Sequence, residues 1–513
     1  MNSSSTSTSD EASPGMAGMA LSAPSVLTLP VVLVGVALVA MSISGTAIAL
    51  PNIGADLEAT GSALNWVVAG YNLAFAAMTL VAGAAADRAG RRRIFIVASG
   101  VFSVGFLATA WAQSILMLDI ARVVAGIGGA GVMAAGGALL ASSYSGAARN
   151  RAFAFMGTMA GVGIAVGPTI VGGLISVAGW RGSFVAFAVL GALVACGAGR
   201  LQESRVDGSP TDWIGSVLSV AALGAFMLAL LEGPELGWSH PLTWGAFAAG
   251  AAAAIAFAVS QRRSSAPILA PELVGQRDFM GWCLATLTTS IGFLGVLVFM
   301  PTYLQAAAGS TPATAGLIML LLTAPVLITP VLAVALVNRG VSARVLILAA
   351  LALVVVGNFG LLLLTPENTI VLIATPLLLI GIGMGTSFGI TDGQAMALVP
   401  PRLVGTAAGF LNTLRGAAEA LVIAVFSALL VGLLTTQLAE AGRASRVAAG
   451  DLVSSGGPEP QREIEALTSA WHFTQIVVGA ACLLLSITVA MLLMSRSHRP
   501  VTIEGSEGVR EFR

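Results

Sequence analysis

The sequence predicts an all-α membrane protein with 14 transmembrane helices, and three observations support this fold class. Of the 513 residues, 57% are hydrophobic and only 9% are charged, whereas soluble chains average about 25% charged residues. The mean hydropathy is +0.92. Fourteen apolar stretches are each close to the length of about 20 residues that a helix needs to cross the hydrocarbon core. This composition excludes a cytosolic enzyme, a basic nucleic-acid-binding protein and a disordered scaffold.

The predicted spans are rich in alanine, glycine, leucine and valine, which favours helices over the short alternating segments of a β-barrel. Their approximate boundaries are 26–50, 64–84, 94–111, 115–141, 153–178, 183–200, 213–231, 243–260, 280–306, 314–337, 345–364, 370–399, 405–434 and 471–494. The first 25 residues are rich in serine and threonine and contain no arginine, so we expect a disordered cytoplasmic tail rather than a secretory signal.

Arginine placement predicts the orientation of the spans, because cytoplasmic loops carry an excess of positive charge. The chain contains no lysine, so all 24 positive side chains are arginines. With the N-terminus inside, 18 of them fall on the cytoplasmic side: Arg88, Arg91, Arg92, Arg93, Arg149, Arg151, Arg200, Arg205, Arg262, Arg263, Arg277, Arg339, Arg344, Arg402, Arg496, Arg499, Arg510 and Arg513. The remaining six are Arg181, Arg443, Arg446 and Arg462 outside, and Arg122 and Arg415 within spans. We therefore expect a multi-pass protein of the plasma (inner) membrane with both termini in the cytoplasm.

A weak internal repeat predicts the domain organisation. Ala125–Gly128 in the fourth span is similar to Ile380–Gly383 in the twelfth. A repeat eight spans apart fits two six-helix bundles with two inserted helices, although glycine-rich helices also look alike by chance. Such repeats place a substrate site near the bilayer midplane between the halves. The expected units are the tail 1–25, a bundle 26–200, inserted helices 213–260, a surface connector 261–279, a bundle 280–494 with an extracellular loop 435–469, and a cytoplasmic tail 495–513.

The loop after the second span carries a dense motif, residues 83–93, with the sequence GAAADRAGRRR. Glycines let two helices approach, and an aspartate can pair with arginine or cap a helix. An ordinary positively charged cytoplasmic loop is the alternative interpretation. At each fixed position the motif resembles the loop signature G-x-x-x-D-R-x-G-R-R of the major facilitator superfamily. The resemblance implies a gating loop formed by Gly83, Asp87, Arg88, Gly90 and Arg91.

Further motifs resemble the fourteen-helix drug:proton antiporter branch of that superfamily. Residues 122–128 are similar to its R-x-x-Q-G-x-G pattern, with Ala125 in place of glutamine. In the fifth span, Gly163, Gly167, Pro168 and Gly172 resemble the antiporter motif, and we expect them to seal the halves together, although plain helix packing also explains glycines. Shorter matches lie at 180–184, 212–215, 303–305, 315–317 and 405–415.

The resemblance implies a proton-coupled multidrug efflux protein, an antiporter that confers antibiotic resistance. Two alternatives stay open: a dedicated exporter of one endogenous metabolite or lipid, and a non-transporting membrane sensor on the same fold. The first span departs from the branch. That branch usually carries the motif L-D-x-T-I-V-N-V-A-L-P in its first span. In this chain, Ser42 stands at the position of the aspartate and Ala47 at that of the asparagine. If that aspartate normally contributes to coupling, another residue has to do so here, or the substrate is not cationic.

Charged residues within spans are costly, at least about 2.5 kcal/mol each at the helix centre, so they need partners or a wet cavity. The candidates for proton coupling are Glu419, Asp392, Arg122, Arg415 and Asp119. Asp119 can pair with Arg122 three residues on, and Asp392, Arg415 and Glu419 can cluster between the twelfth and thirteenth spans. Opening a cavity to water changes how strongly a buried carboxylate holds its proton. Proton exchange across a membrane requires such a change. Fixed ion pairs are the alternative. Glu419 is the first candidate for the proton carrier and Asp392 the second.

Aromatic and amide side chains within spans are candidates for the substrate cavity, with interfacial anchoring or packing as the alternative. They are Trp66, Tyr71, Asn72, Gln305 and Asn412. The three histidines have no metal-binding spacing, and the sequence has no catalytic Ser–His–Asp grouping and no nucleotide-binding loop. We therefore expect neither an enzyme nor a cofactor or metal. The expected partners are a small amphipathic substrate, protons and the lipid bilayer, without nucleic acid, and we expect a monomer.

Overall fold

The computed structural model describes residues 26–144, 146–204, 212–264, 275–366, 369–399, 404–438, 441–452 and 459–494, and this part of the chain is helical without strands. The predicted tails 1–25 and 495–513, and residues 265–274 of the predicted connector, lie outside the described residues. The helices are numbered α1 to α14 below.

Five helices form the first half. They are α1 (Thr28–Leu57), α2 (Gly61–Ala89), α3 (Arg91–Ala110), α4 (Ile115–Ser143) and α5 (Gly146–Ala198). The long helix α5 stays helical through Pro168 but breaks at Gly179, where φ is 71°, a backbone conformation that glycine adopts without strain. Its two arms, 146–178 and 180–198, correspond to the fifth and sixth predicted spans.

The rest of the chain adds nine helices. Two follow the first half, α6 (Trp213–Leu236) and α7 (Pro241–Arg263). The second half contains α8 (Arg277–Ala306), α9 (Pro312–Asn338), α10 (Ala343–Gly360), α11 (Thr369–Ala397), α12 (Val404–Leu438), α13 (Ala441–Ala448) and α14 (Glu459–Met494). Twelve of the described helices are long and apolar enough to cross a membrane. The all-helical membrane fold is thus confirmed, while the count of 14 spans stays a prediction.

The predicted loop 435–469 is largely helical in the structure. Helix α12 continues to Leu438, α13 is a short amphipathic helix, and α14 begins at Glu459 rather than near 471. A buried ion pair explains the added order, since the Arg443 Nε donates to Glu463 Oε1 at 2.7 Å and the Glu463 side chain is 0% exposed. The polar composition of this segment reflects internal pairing as well as contact with solvent.

The two halves meet along three helix pairs, α1–α8, α2–α12 and α5–α9. The described hydrogen bonds between them lie toward the end of the molecule that carries α13, called the α13 side. On α9, Thr323 donates to the Ala165 carbonyl oxygen at 2.6 Å. Toward the opposite end, called the α2–α3 side, a Cβ placed on Gly157 of α5 would meet no described neighbour within 4 Å. The seam between α5 and α9 is therefore closed on the α13 side and looser on the other.

The inserted helix α6 lies along one of these seams. It packs against both α2 and α12, and a Cβ on its Gly224 would stand 3.6 Å from the Leu73 side chain of α2. The Asp212 carboxylate caps α6 by accepting from the Gly215 amide at 2.7 Å, and it also accepts from Gln261 of α7 at 2.5 Å. This anchor holds α6 and α7 together as a pair beside the bundle.

Candidate substrate and proton-coupling site

Arg122 of α4 lies fully buried inside the first half. Its Nε donates to the Val67 carbonyl oxygen at 3.0 Å, and its Nη2 donates to the Thr46 hydroxyl at 3.1 Å. The guanidinium carbon lies 4.4 Å from the centre of the Tyr71 ring, which provides a cation–π contact. Arg122 therefore ties α4 to α1 and α2 in one polar cluster, as expected of a charge that must be compensated within the membrane.

The expected pairing of Asp119 with Arg122 is not formed. No nitrogen–oxygen contact within 4.0 Å joins the two side chains, and Asp119 Oδ1 is buried without a hydrogen-bond partner among the described residues. The physical reason is the direction of the arginine, which extends across to α1 and α2 and stacks on aromatic rings instead of turning back along α4. Asp119 thus stays a candidate without an ion pair.

Ser42, at the position where the resembling branch has aspartate, contributes a neutral hydroxyl to the same cluster. It is 0% exposed and donates to the Tyr71 hydroxyl oxygen at 3.0 Å. A Cβ on Gly129 of α4 would stand only 2.5 Å from that hydroxyl, so the Tyr71 hydroxyl points into the first half. The cluster of Ser42, Thr46, Tyr71 and Arg122 carries one formal charge, the guanidinium.

In the second half, Asp392 of α11 and Arg415 of α12 form the ion pair that the sequence suggests. One guanidinium nitrogen, Nη2, donates to both carboxylate oxygens, at 3.0 and 3.3 Å. The Asp392 side chain is 48% exposed and that of Arg415 17%, so this pair faces an accessible space. Arg415 also lies 4.9 Å from the centre of the Phe388 ring.

Glu419, the third member of the expected cluster, stands apart from that pair. No ion pair within 4.0 Å joins it to Arg415, and its Oε2 is buried without a hydrogen-bond partner among the described residues. It lies one turn beyond Gly416, where a Cβ would stand 2.5 Å from Ala76 of α2. Its carboxylate is also near enough to Tyr71 for an electrostatic interaction. Glu419 therefore lies at the seam between the halves, within electrostatic range of Arg415 but without an ion pair to it.

The other cavity candidates fall into three groups. Asn72 is 1% exposed, and neither of its amide atoms has a partner among the described residues. Gln305 spans the halves by donating to the Ile48 carbonyl oxygen at 3.2 Å, which makes it a contact between α8 and α1. Trp66 is half-buried against the core of the first half. The side chain of Asn412 lies outside the described residues.

The loop between α2 and α3 is fixed by a residue that the sequence analysis did not single out. The Glu203 carboxylate accepts from the backbone amides of Arg92 and Arg93, at 3.0 and 3.2 Å, and so caps the start of α3. Gly90 has φ 110°, and a Cβ there would lie 2.7 Å from the Glu203 carboxyl group. Both features require glycine at this position of the motif. The sequence feature that could have indicated this role is an acid just after the sixth predicted span, on the same predicted cytoplasmic side as the arginine-rich loop.

The remaining motif residues of this loop have fewer described contacts. A Cβ on Gly83 would stand 3.9 Å from Ala134, so this glycine is not crowded. The Arg91 amide donates to the Ser204 carbonyl oxygen at 3.0 Å. The side chains of Asp87 and Arg88 lie outside the described residues.

The motif of α5 serves two different contacts. Gly163 and Gly167 face α1, since a Cβ on either would meet the backbone of that helix, around Ala37 and Met41. Gly172 faces the other half, where a Cβ would stand 2.5 Å from the Pro312 carbonyl oxygen of α9. The Pro168 carbonyl oxygen lies at the same distance from a Cβ on Gly316. The second pair of contacts joins the halves, and the first packs one half internally.

Solved structures share this architecture. A bacterial homolog of the human lysosomal transporter Spinster, in an inward-facing and occupied conformation, superimposes with a TM-score of 0.65 at 15% sequence identity, covering 92% of this chain and 97% of that one. An auto-inhibited peptide transporter of the POT family gives a TM-score of 0.62 at 16% identity, covering 92% and 98%. At these identities the likeness establishes the fold alone.

The chain belongs to the Major Facilitator Superfamily, whose family model matches residues 32–423. It is 30% identical to the multidrug resistance protein Stp of Mycobacterium tuberculosis, over 76% of this chain and 73% of that protein. It is also 30% identical to the puromycin resistance protein pur8 of Streptomyces alboniger, over 81% and 83%. The tetracenomycin C resistance and export protein of Streptomyces glaucescens is 27% identical, over 79% and 75%. The family resemblance is confirmed, and the chain is a multi-pass integral membrane protein.

Proposed function

We propose that this protein is a secondary-active exporter that moves amphipathic small molecules out of the cell in exchange for protons, by alternating access. The observation that carries the proposal is Glu419. A carboxylate at the seam between two halves, with a buried and unpartnered oxygen, is exposed to a different environment whenever the halves separate. The similarity to the multidrug resistance protein Stp and the puromycin resistance protein pur8 supports drugs and antibiotics as the substrate class.

The proposed topology has 14 spans, both termini in the cytoplasm and a plasma-membrane location. The 12 candidate spans become 14 when α2 is added and the two arms of α5, which count as one candidate span, are counted separately. The arginine distribution makes the α2–α3 side cytoplasmic and the α13 side external. The protein acts as a monomer, because each half supplies its own part of the site.

On this topology, transport opens and closes contacts that the structure contains. The Asn65 amide donates to the Ser427 hydroxyl at 2.6 Å, and Gln305 reaches Ile48 at 3.2 Å, both between halves toward the external side. Opening outward has to break them, and the close approach of Gly172 to α9 has to separate. Small residues at such seams allow helices to pack closely and part again.

Glu419 is the proposed proton carrier, because it is an acid at the seam without an ion pair, whereas Asp392 is paired with Arg415. Asp392 is held by Arg415 and is the second candidate. Arg122 stays positive within its cluster of hydroxyl and aromatic groups and responds to charge changes at the seam through Tyr71. The neutral Ser42 leaves no acid in this part of α1, which transfers the proton-carrying role to the second half.

The test is efflux from proteoliposomes with an imposed pH gradient. We expect Glu419→Gln to abolish gradient-driven efflux while leaving substrate exchange at equal pH, and Asp392→Asn to weaken both through loss of the ion pair. Asp119→Asn, on the unpaired acid of α4, is the matched comparison. Gradient-driven efflux at the wild-type rate in Glu419→Gln would falsify the assignment of the carrier.

One observation favours a dedicated exporter of an endogenous product as a second function. The tetracenomycin C protein is named for both resistance and export of one compound, which supports a self-made product as the alternative cargo class. Deleting the gene then leads to intracellular accumulation of one metabolite, whereas a drug exporter changes susceptibility to several unrelated compounds. Metabolite profiling beside a susceptibility panel separates the two functions.

A further inference from the structure

Two polar side chains from opposite halves lie without hydrogen-bond partners at one level of the α2–α12 seam. Asn72 of α2 is 1% exposed, and both its Nδ2 and its Oδ1 lack partners. Glu419 of α12 has a buried Oε2 that also lacks one. A buried polar atom without a hydrogen bond costs free energy, so two such groups at one seam call for an explanation.

The register of the two helices brings these residues together. Ala76 approaches Gly416, and Asn65 bonds to Ser427, so the same separation of 11 residues lies between the two contacts on each helix. The helices are therefore antiparallel and in register. Asn72, four residues before Ala76, lies opposite the position four residues after Gly416, which is next to Glu419. Residues three or four apart share a helix face, so Glu419 lies on the face that Gly416 turns toward α2.

The other polar groups around this level have contacts of their own, although Arg122 Nη1 is buried without a hydrogen-bond partner among the described residues and Arg415 interacts electrostatically with Glu419. The Tyr71 hydroxyl is bonded to Ser42 inside the first half, and Arg122 of α4 is bonded to Val67 and Thr46. From the second half, Arg415 is held by Asp392 of α11.

Helices α4 and α6 complete the surroundings of Glu419. Asp119, the other charged side chain of α4, lies nearly one turn before Arg122. Helix α6, which covers the seam, presents Gly224 beside Leu73 and no described charge at this level. Asn72 is thus the side chain of α2 whose polar atoms lack partners at this level of the seam.

We propose that Asn72 is the hydrogen-bonding partner of Glu419 across the seam, directly or through one bridging water, and that it positions this carboxyl group in both protonation states. This rests on the proposed role of Glu419 as proton carrier. An amide suits the task because it both donates and accepts. The carboxylate accepts from Nδ2–H. The carboxylic acid donates its proton to Oδ1 after the amide turns about its terminal torsion.

The test compares two leucine substitutions on the same face of α2 in proteoliposomes. Asn72→Leu removes the amide opposite Glu419. Asn65→Leu is the matched control, because it removes an amide that bonds across the same seam to Ser427, away from Glu419. We expect Asn72→Leu to lower gradient-driven efflux about tenfold or more, the size of one hydrogen bond to a charged group. Substrate exchange at equal pH should fall less than gradient-driven efflux, because exchange does not require Glu419 to release its proton. Asn65→Leu lowers efflux and exchange together.

A double variant separates positioning of Glu419 from a general packing effect. The substrate exchange at equal pH of the double variant, Asn72→Leu with Glu419→Gln, should equal that of Glu419→Gln alone, because the amide acts through the carboxyl group. Asn72→Ala is a second single variant that adds no bulk to the seam. The proposal is overturned if both Asn72 variants transport at the wild-type rate, if they lose exchange as much as efflux, or if the double variant loses more exchange than Glu419→Gln.

The outcomes also distinguish this inference from the proposed function. If Glu419→Gln retains gradient-driven efflux, the carrier assignment fails, whatever Asn72 does. If Glu419→Gln loses it and both Asn72 variants keep it, the carrier assignment stands and the partnership with Asn72 is wrong.

Discussion

Replacing Glu203 by alanine should loosen the first turn of α3, the helix that follows the signature loop. The carboxylate accepts from the amides of Arg92 and Arg93, at 3.0 and 3.2 Å, and from the Ser204 amide at 3.1 Å. These two α3 amides belong to the first turn of the helix, where no carbonyl of the same helix can serve them. The negative charge also lies at the positive end of the helix dipole.

The magnitude follows from these contacts. Loss of a helix cap costs about 0.5–2 kcal/mol, and loss of an acid at a helix N-terminus about 0.3–1 kcal/mol. The ion pair of Glu203 with the Arg93 side chain adds little, because it is 3.9 Å long and Arg93 is 67% exposed. A total of about 1–3 kcal/mol corresponds to a rise of about 5- to 150-fold in the local opening equilibrium.

Hydrogen exchange of the amides at the start of α3, in nanodiscs, measures that equilibrium directly. We expect Glu203→Ala to raise exchange by the factor above at Arg92 and Arg93 and to leave the middle of α3 unchanged. Arg93→Ala is the control, since it removes the side-chain ion pair and keeps the cap, and should change exchange less than about threefold. Equal effects of the two variants, or unchanged exchange in Glu203→Ala, would refute the capping argument.

Two further predictions concern the site and the seam. Arg122→Lys keeps the charge but loses the planar guanidinium that donates to Val67 and Thr46, at a cost of about 1.5–3 kcal/mol for each hydrogen bond. Transport should therefore fall at least about tenfold at unchanged expression. A lysine variant with wild-type transport would contradict this. Gly172→Val places a side chain against the Pro312 carbonyl oxygen and should widen the distance between spin labels at the α13 ends of α5 and α9, whereas Gly173→Val, whose Cβ meets no described neighbour within 4 Å, should leave it unchanged.

The sequence allowed the helices to be predicted well, because each apolar run long enough to cross a bilayer is a strong local signal. Boundaries at α2, α4, α8 and α9 differ by only a few residues from the predicted ones. The ion pair of Asp392 with Arg415 could also be predicted from the sequence, since both residues lie at similar distances from the turn that joins the twelfth and thirteenth predicted spans. Loop 435–469 was harder, because the contact of Arg443 with Glu463 joins two helices that local composition does not reveal.

The interior of the site depended on packing that sequence alone does not specify. Arg122 had a partner within reach at Asp119, yet its bonds go to α1 and α2, which only the arrangement of three helices determines. Asn72 was one amide among several candidates until the register of α2 with α12 placed it opposite the position next to Glu419. Glu203 appeared as a charge in a loop, because its role depends on a helix more than 100 residues earlier in the chain.

The placement of α6 has a mechanical consequence for an alternating-access cycle. This helix touches both α2 and α12, which belong to different halves. In the proposed cycle the halves rock and α6 cannot keep both sets of contacts, so it has to slide over one of its neighbours each time. The work of breaking and remaking that contact becomes part of each turnover, and a substitution on the outer surface of α6 can therefore change the transport rate without touching the substrate.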